Sequence, residues 1–225
     1  MPIAEIITYC SVFSVLIPIF FLLRKKQNFK NPIIKILGTL LFVSAFSDLA
    51  SLILFKLGGK SSMPIINPFF ITQFVLLSCV YYRLLKNKKI IYIAVIIFLL
   101  FSVFNIVFIQ PFTEFQSWPV TLGSIILMCY SILYFLQLLD FPPTLNLFRH
   151  FSFWFNMAVF YYFGASFLVF ISINYVLQTQ SVEFSKMVWG FHNVNNIIKN
   201  ILFAIAIYFA GVKQKENEKI KPFVP

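Results

Sequence analysis

Lys86-Asn87-Lys88-Lys89 leads directly into Ile90-Ile91-Tyr92-Ile93-Ala94-Val95-Ile96-Ile97-Phe98-Leu99-Leu100-Phe101-Ser102-Val103-Phe104-Asn105-Ile106-Val107-Phe108-Ile109. Three lysines are followed by an uncharged run that reaches the break at Pro111, Glu114 and Trp118-Pro119. A helix of about 20 apolar residues matches the ~30 Å hydrocarbon core of a bilayer. The lysines before it are the flank expected where a span leaves the membrane. The same alternation of long apolar run and short polar break recurs along the chain. It places spans near 4–23, 33–57, 68–85, 90–109, 120–139, 151–177 and 187–211. The Asp140-Phe141-Pro142-Pro143 break separates the fifth from the sixth.

Composition agrees. Hydrophobic residues make up 60% of the 225 and charged residues 11%, and Phe contributes 31. A soluble domain carries about 45–50% apolar and about 25% charged residues. The expected fold is therefore all-α, a polytopic membrane protein with a seven-transmembrane-helix bundle. Residues 1–212 form that bundle and 213–225 a short tail. Seven spans and short loops use the whole length, so no soluble catalytic domain fits. Met1-Pro2-Ile3-Ala4-Glu5 lacks a basic signal-peptide region, so the first run reads as a retained helix. No internal repeat is visible, although the topology permits a three-plus-one-plus-three layout.

The net charge of +11 raises the question of nucleic acid, but its placement answers it. Arg24, Lys25, Lys26, Lys30 and Lys35 follow or adjoin the first break. Arg83, Lys86, Lys88 and Lys89 follow span 3, Arg149 follows span 5, and Lys213, Lys215, Lys219 and Lys221 lie in the tail. These fourteen fall on one side and only Lys56, Lys60 and Lys186 on the other. The positive-inside rule puts the C-terminus in the cytoplasm and the N-terminus outside. The partner expected from this pattern is the lipid bilayer, not nucleic acid.

The remaining lysine, Lys199, lies within span 7, in Trp189-Gly190-Phe191-His192-Asn193-Val194-Asn195-Asn196-Ile197-Ile198-Lys199-Asn200. A lysine at mid-bilayer costs about 2.5–3.5 kcal/mol on insertion scales, so it faces protein or water and has a partner. At ~1.5 Å per residue Lys199 is ~16 Å deep and Asp48 of span 2 ~18 Å. An Asp48–Lys199 ion pair is geometrically allowed. Gln73, and Tyr161 or Tyr162, reach the same level, and Asn105 and Asn196 sit slightly higher. Trp189, His192, Asn196, Lys199 and Phe203 follow helical spacing along one inward face, flanked by Asn193 and Asn200. The candidate binding or relay residues are Asp48, Gln73, Asn105, Tyr161, His192, Asn196 and Lys199. One reading is a polar cavity or relay. The other is a structural ion pair with Asn and Gln glue between helices.

His192 suits a hydrogen-bonding or pH-sensing role. The other histidine, His150, falls on the cytoplasmic side, so no metal site is expected. Cys10, Cys79 and Cys129 lie within apolar runs without ligand spacing and read as small packing residues. Glu5, Glu114, Trp118 and Glu183 mark the outer surface. No Gly-x-Ser-x-Gly, His-Glu-x-x-His or paired intramembrane Asp motif occurs. Neither an enzyme nor a cofactor is expected.

Phe153-Trp154-Phe155-Asn156, Tyr161-Tyr162-Phe163-Gly164, the His192–Lys199 run and Ile201-Leu202-Phe203-Ala204-Ile205-Ala206 resemble small seven-helix membrane proteins of Bacteroidota. Asn67-Pro68-Phe69-Phe70 to Tyr81-Tyr82 fits the same pattern. The similarity covers most of the chain, more clearly after residue 110. Members of this largely uncharacterised group are often encoded near histidine kinases. The resemblance implies a multi-pass protein of the bacterial inner membrane with a sensory or signalling-accessory role, partnered by a membrane histidine kinase or other signalling protein. It supplies no catalytic residues.

The alternative is a small-molecule or ion transporter. The Pro-Gln pair of sugar-transporting seven-helix proteins is absent, as are Gly/Pro interruptions at matched positions. A retinal-binding protein is the third reading, invited by Lys199. Against it, the residue one turn earlier is Asn195 where microbial rhodopsins have Asp, span 3 has no acidic counter-ion, and span 6 lacks Trp-x-x-Tyr-Pro.

Overall fold

The chain is an all-helical, multi-pass membrane protein. Its computed structural model describes residues 3–24, 31–58, 61–140 and 146–219, with side chains described only to 54 in the second stretch and to 210 in the last. Lys25, Lys26, Lys30, Lys60, Lys221 and the Pro142-Pro143 break lie outside the described residues. Among those described, seven helices are long and apolar enough to cross a membrane. Spans 1–7 are Ile3–Leu23, Pro32–Leu54, Met63–Leu84, Lys88–Phe108, Ser117–Asp140, Phe151–Thr179 and Val182–Ala210.

The spans close into a ring. Span 1 packs on span 7, span 7 on span 6, span 6 on span 5, and span 5 on spans 3 and 4. Span 4 also meets span 3, span 3 meets span 2, and span 2 returns to span 1. The most apolar helix is the most peripheral: only 22% of span 4's apolar window is buried, against 50% for span 6. Lipid is as apolar as leucine, so a uniformly apolar helix gains little by leaving it. Small and polar residues instead mark the protein-facing sides. Ser78, Ser102, Ser124, Ser131, Asn156 and Ser166 are all buried.

Three helix boundaries depart from expectation. Span 1 is two helices, Ile3–Ser14 and Leu16–Leu23. Pro18 has no N–H for the Ser14 carbonyl, and its ring crowds that carbonyl, so the helix breaks one turn earlier. Span 3 begins at Met63, not 68. Pro68 reads as a start, but Pro64 occupies the first turn, where a missing N–H is harmless. The amides of Ile65 and Ile66 bond the Ser62 carbonyl at 3.0 and 3.1 Å. The last helix runs Val182–Lys219, through the expected tail boundary at 213. Ser181 starts it by accepting from the Phe184 amide at 3.2 Å, so Glu183 and Lys186 belong to the helix.

Span 5 meets spans 3 and 4 through Gly123. A Cβ there would lie 3.0 Å from Phe98 Cε2 and 3.2 Å from Phe74 Cδ2. Those two rings stack at 3.8 Å. The three cysteines, expected as packing residues, are instead all exposed on the bundle surface. A thiol is small and apolar enough for lipid to be as good a neighbour as protein.

Candidate functional site

Helical geometry brings Lys199 to the bundle interior, where it is only 4% exposed. Side chains on a helix lean toward its N-terminus. Lys199 therefore reaches up span 7 toward His192, two turns away. Its Nζ lies 4.3 Å from the centroid of the Tyr162 ring of span 6. Among the described residues no carboxylate comes within salt-bridge distance, 4.0 Å, of that ammonium. Asp48 is within electrostatic reach of Lys199 but not in contact with it. Its Oδ2 accepts a long 3.5 Å bond from Ser44 Oγ, one turn back on the same helix. The ion pair that the depths allow is thus not made in contact, and the ammonium's contact partner is an aromatic face.

His192 lies above the lysine in a cage of rings. Its centroid is 5.7 Å from Tyr162, 5.3 Å from Phe170 and 5.5 Å from Trp189. It is 9% exposed, and its buried Nδ1 has no hydrogen-bond partner. A buried polar atom left without a partner costs about 1–3 kcal/mol. Phe70, Phe115, Phe170 and Trp189 form an aromatic layer on the side of His192 away from Lys199.

Other expected residues are placed differently. Tyr161 turns to the side of span 6 that meets Asn195, donating to its Oδ1 at 3.1 Å, and Asn195 Nδ2 donates to Ser166 at 3.3 Å. Tyr162, and not Tyr161, joins the lysine. Asn196 faces span 1, where its Nδ2 donates to Ser11 Oγ at 2.9 Å. It is the middle rung of a ladder: Asn193 donates to Thr8 at 3.1 Å and Asn200 to Ser14 at 2.7 Å. The rungs advance in the same chain direction on both helices, as two parallel spans require. Gln73 is 2% exposed with an unpartnered Oε1, and no hydrogen bond joins it to Asp48 or Lys199.

Asn105 is not brought to the lysine at all. It belongs to a network of neutral amides at the end of the bundle that carries residues 109–117. Its Nδ2 donates to Gln110 Oε1 at 3.0 Å and Gln116 Oε1 at 2.7 Å. Asn67 of span 3 donates to the Phe112 and Glu114 carbonyls at 2.9 and 2.8 Å and accepts from the Gln116 amide at 3.2 Å. Asn174 of span 6 donates to the Phe115 carbonyl at 2.8 Å. Toward the opposite end a second cluster is equally buried. Tyr81 Oη bonds Ser131 Oγ and Asn156 Oδ1, each at 2.7 Å, and Asn156 Nδ2 donates to the Ser131 carbonyl at 3.0 Å. Sequence reasoning missed both. The density of Asn and Gln at 105–116 was the available signal for the first, whereas Tyr81 and Ser131 carry none.

Among the described residues no group of three His, Cys, Asp or Glu is placed to hold a metal. Comparison with family models, curated proteins and solved structures finds no match to this chain.

Proposed function

We propose that this chain is a sensory or signalling-accessory subunit of the bacterial inner membrane, built around Lys199. One observation carries this reading: a buried ammonium rests on the Tyr162 ring, with Asp48 in electrostatic reach but out of contact. A purely structural charge gains most from a close, hydrogen-bonded partner. A loosely compensated charge leaves a second arrangement close in energy, in which Lys199 moves onto Asp48 and span 7 shifts against spans 2 and 6. Short loops leave the protein little means to act by itself, so the shift must be read by a partner. The resemblance to proteins encoded near histidine kinases suggests a membrane kinase.

The test is a mild-detergent pull-down from native membranes, followed by Lys199→Met and Asp48→Asn in the signalling assay of the recovered partner. A kinase should copurify, and both variants should shift its output. If both substitutions leave output unchanged, the charges are only structural.

The break in span 1 favours a second reading, transport, because interrupted spans line the substrate sites of many transporters. Uptake by the purified protein in proteoliposomes, lost in Pro18→Leu, would establish it in place of the first.

A further inference from the structure

We propose that residues 109–116 are a plug that closes one end of the bundle over His192 and Lys199, with Phe115 as its stopper. The inference uses from the proposed function only that Lys199 is the working centre. Phe115 belongs to the segment joining spans 4 and 5, where an exposed side chain is the ordinary outcome, yet it is 1% exposed. Its ring meets Phe70 at 5.5 Å, Trp189 at 5.9 Å and Phe170 at 6.2 Å. Trp189 and Phe170 are two of the three rings around His192. Phe115 is therefore the only member of this layer that is not on a membrane-spanning helix. Moving it uncovers the histidine without moving a span.

The segment's attachment suits a part that docks and releases. Its polar ties to spans 3 and 6 are hydrogen bonds between its backbone and two neutral side-chain amides, Asn67, which donates twice and accepts once, and Asn174, which donates. No charge has to be desolvated when it closes. The network is also incomplete: Asn105 Oδ1 is buried without a partner. That loss is recovered when water enters, so opening returns part of the free energy it costs. Once the plug is out, His192 Nδ1 meets water or a water-borne polar ligand from this end.

Thiol access tests this directly and is independent of signalling. The background is Cys10→Ser, Cys79→Ser and Cys129→Ser, carrying His192→Cys. A charged, membrane-impermeant methanethiosulfonate is applied to right-side-out and to inverted vesicles. Modification should be slow with the plug intact. It should rise at least tenfold in Phe115→Ala and in Asn67→Ala, and in only one vesicle orientation. Phe115→Leu, which keeps apolar volume, should fall between. Ser131→Cys, in the other half of the bundle, should stay unreactive. Unchanged rates in both plug variants would overturn the proposal. So would acceleration in both vesicle orientations or at Ser131→Cys, either of which would mean general loosening.

Discussion

Lys199 spends its charge on a ring face, and that choice is testable at single residues. A desolvated cation–π contact is worth about 2 kcal/mol. Tyr162→Phe keeps the face and should leave detergent thermal stability nearly unchanged. Tyr162→Leu should lower it by about 1–2 kcal/mol. Lys199→Met should rescue Tyr162→Leu, because the burden is the ammonium itself. Asp48→Asn alone should cost about 1–3 kcal/mol by leaving the ammonium without a counter-charge, and the double variant with Lys199→Met should recover most of that. If Tyr162→Leu and Asp48→Asn both melt with the parent protein, the charge is not held as described. Gly123 offers a steric test: Gly123→Val should destabilise by about 1–3 kcal/mol, because Phe98 and Phe74 are stacked and cannot withdraw. The sequence placed Tyr161 and Tyr162 at one depth, and Tyr161 was the candidate named, whereas Tyr162 is the one against the lysine. Adjacent helical residues point about 100° apart, and only the packing of span 6 against span 7 decides which faces the lysine.

Between elements, asparagine does the joining. Asn193, Asn196 and Asn200 repeat at helical spacing and meet Thr8, Ser11 and Ser14. Interhelical side-chain hydrogen bonds in membranes average about 0.6 kcal/mol. Replacing all three asparagines by Ala should therefore cost about 2 kcal/mol in denaturant titration. A cycle of Asn196→Ala with Ser11→Ala should show coupling of roughly 0.5–1 kcal/mol. Zero coupling would mean that span 1 is held by apolar packing instead. The ladder also explains why the inward face was partly misread. Trp189, His192, Asn196, Lys199 and Phe203 share a helical stripe, but a helix in a ring has two neighbours. The stripe divides between the interior, with His192, Lys199 and Phe203, and span 1, with Asn196. Which residues go to which neighbour depends on the order of helices around the ring, which no single helix encodes.

At the scale of the molecule, charge placement makes a prediction of its own. Fourteen basic residues against three should put the C-terminus in the cytoplasm. A C-terminal green fluorescent protein fusion should fluoresce and an alkaline phosphatase fusion should be inactive. The reverse pair of results would invert the topology. The number of spans and their rough limits were legible because they follow from local quantities: about 20 uncharged residues in a row, with a charged break between. Boundaries slipped where the local signal was double-edged, as at Pro68, where a proline marks a helix start only if no earlier turn precedes it. Tertiary structure decided what lies sideways. It set Tyr162 and not Asp48 against Lys199, sent Asn105 to the end network, and buried Phe115. Hydropathy specifies position along the membrane normal, because water and lipid differ along that axis. Within the membrane plane the medium is uniform, and only helix-to-helix packing distinguishes one direction from another.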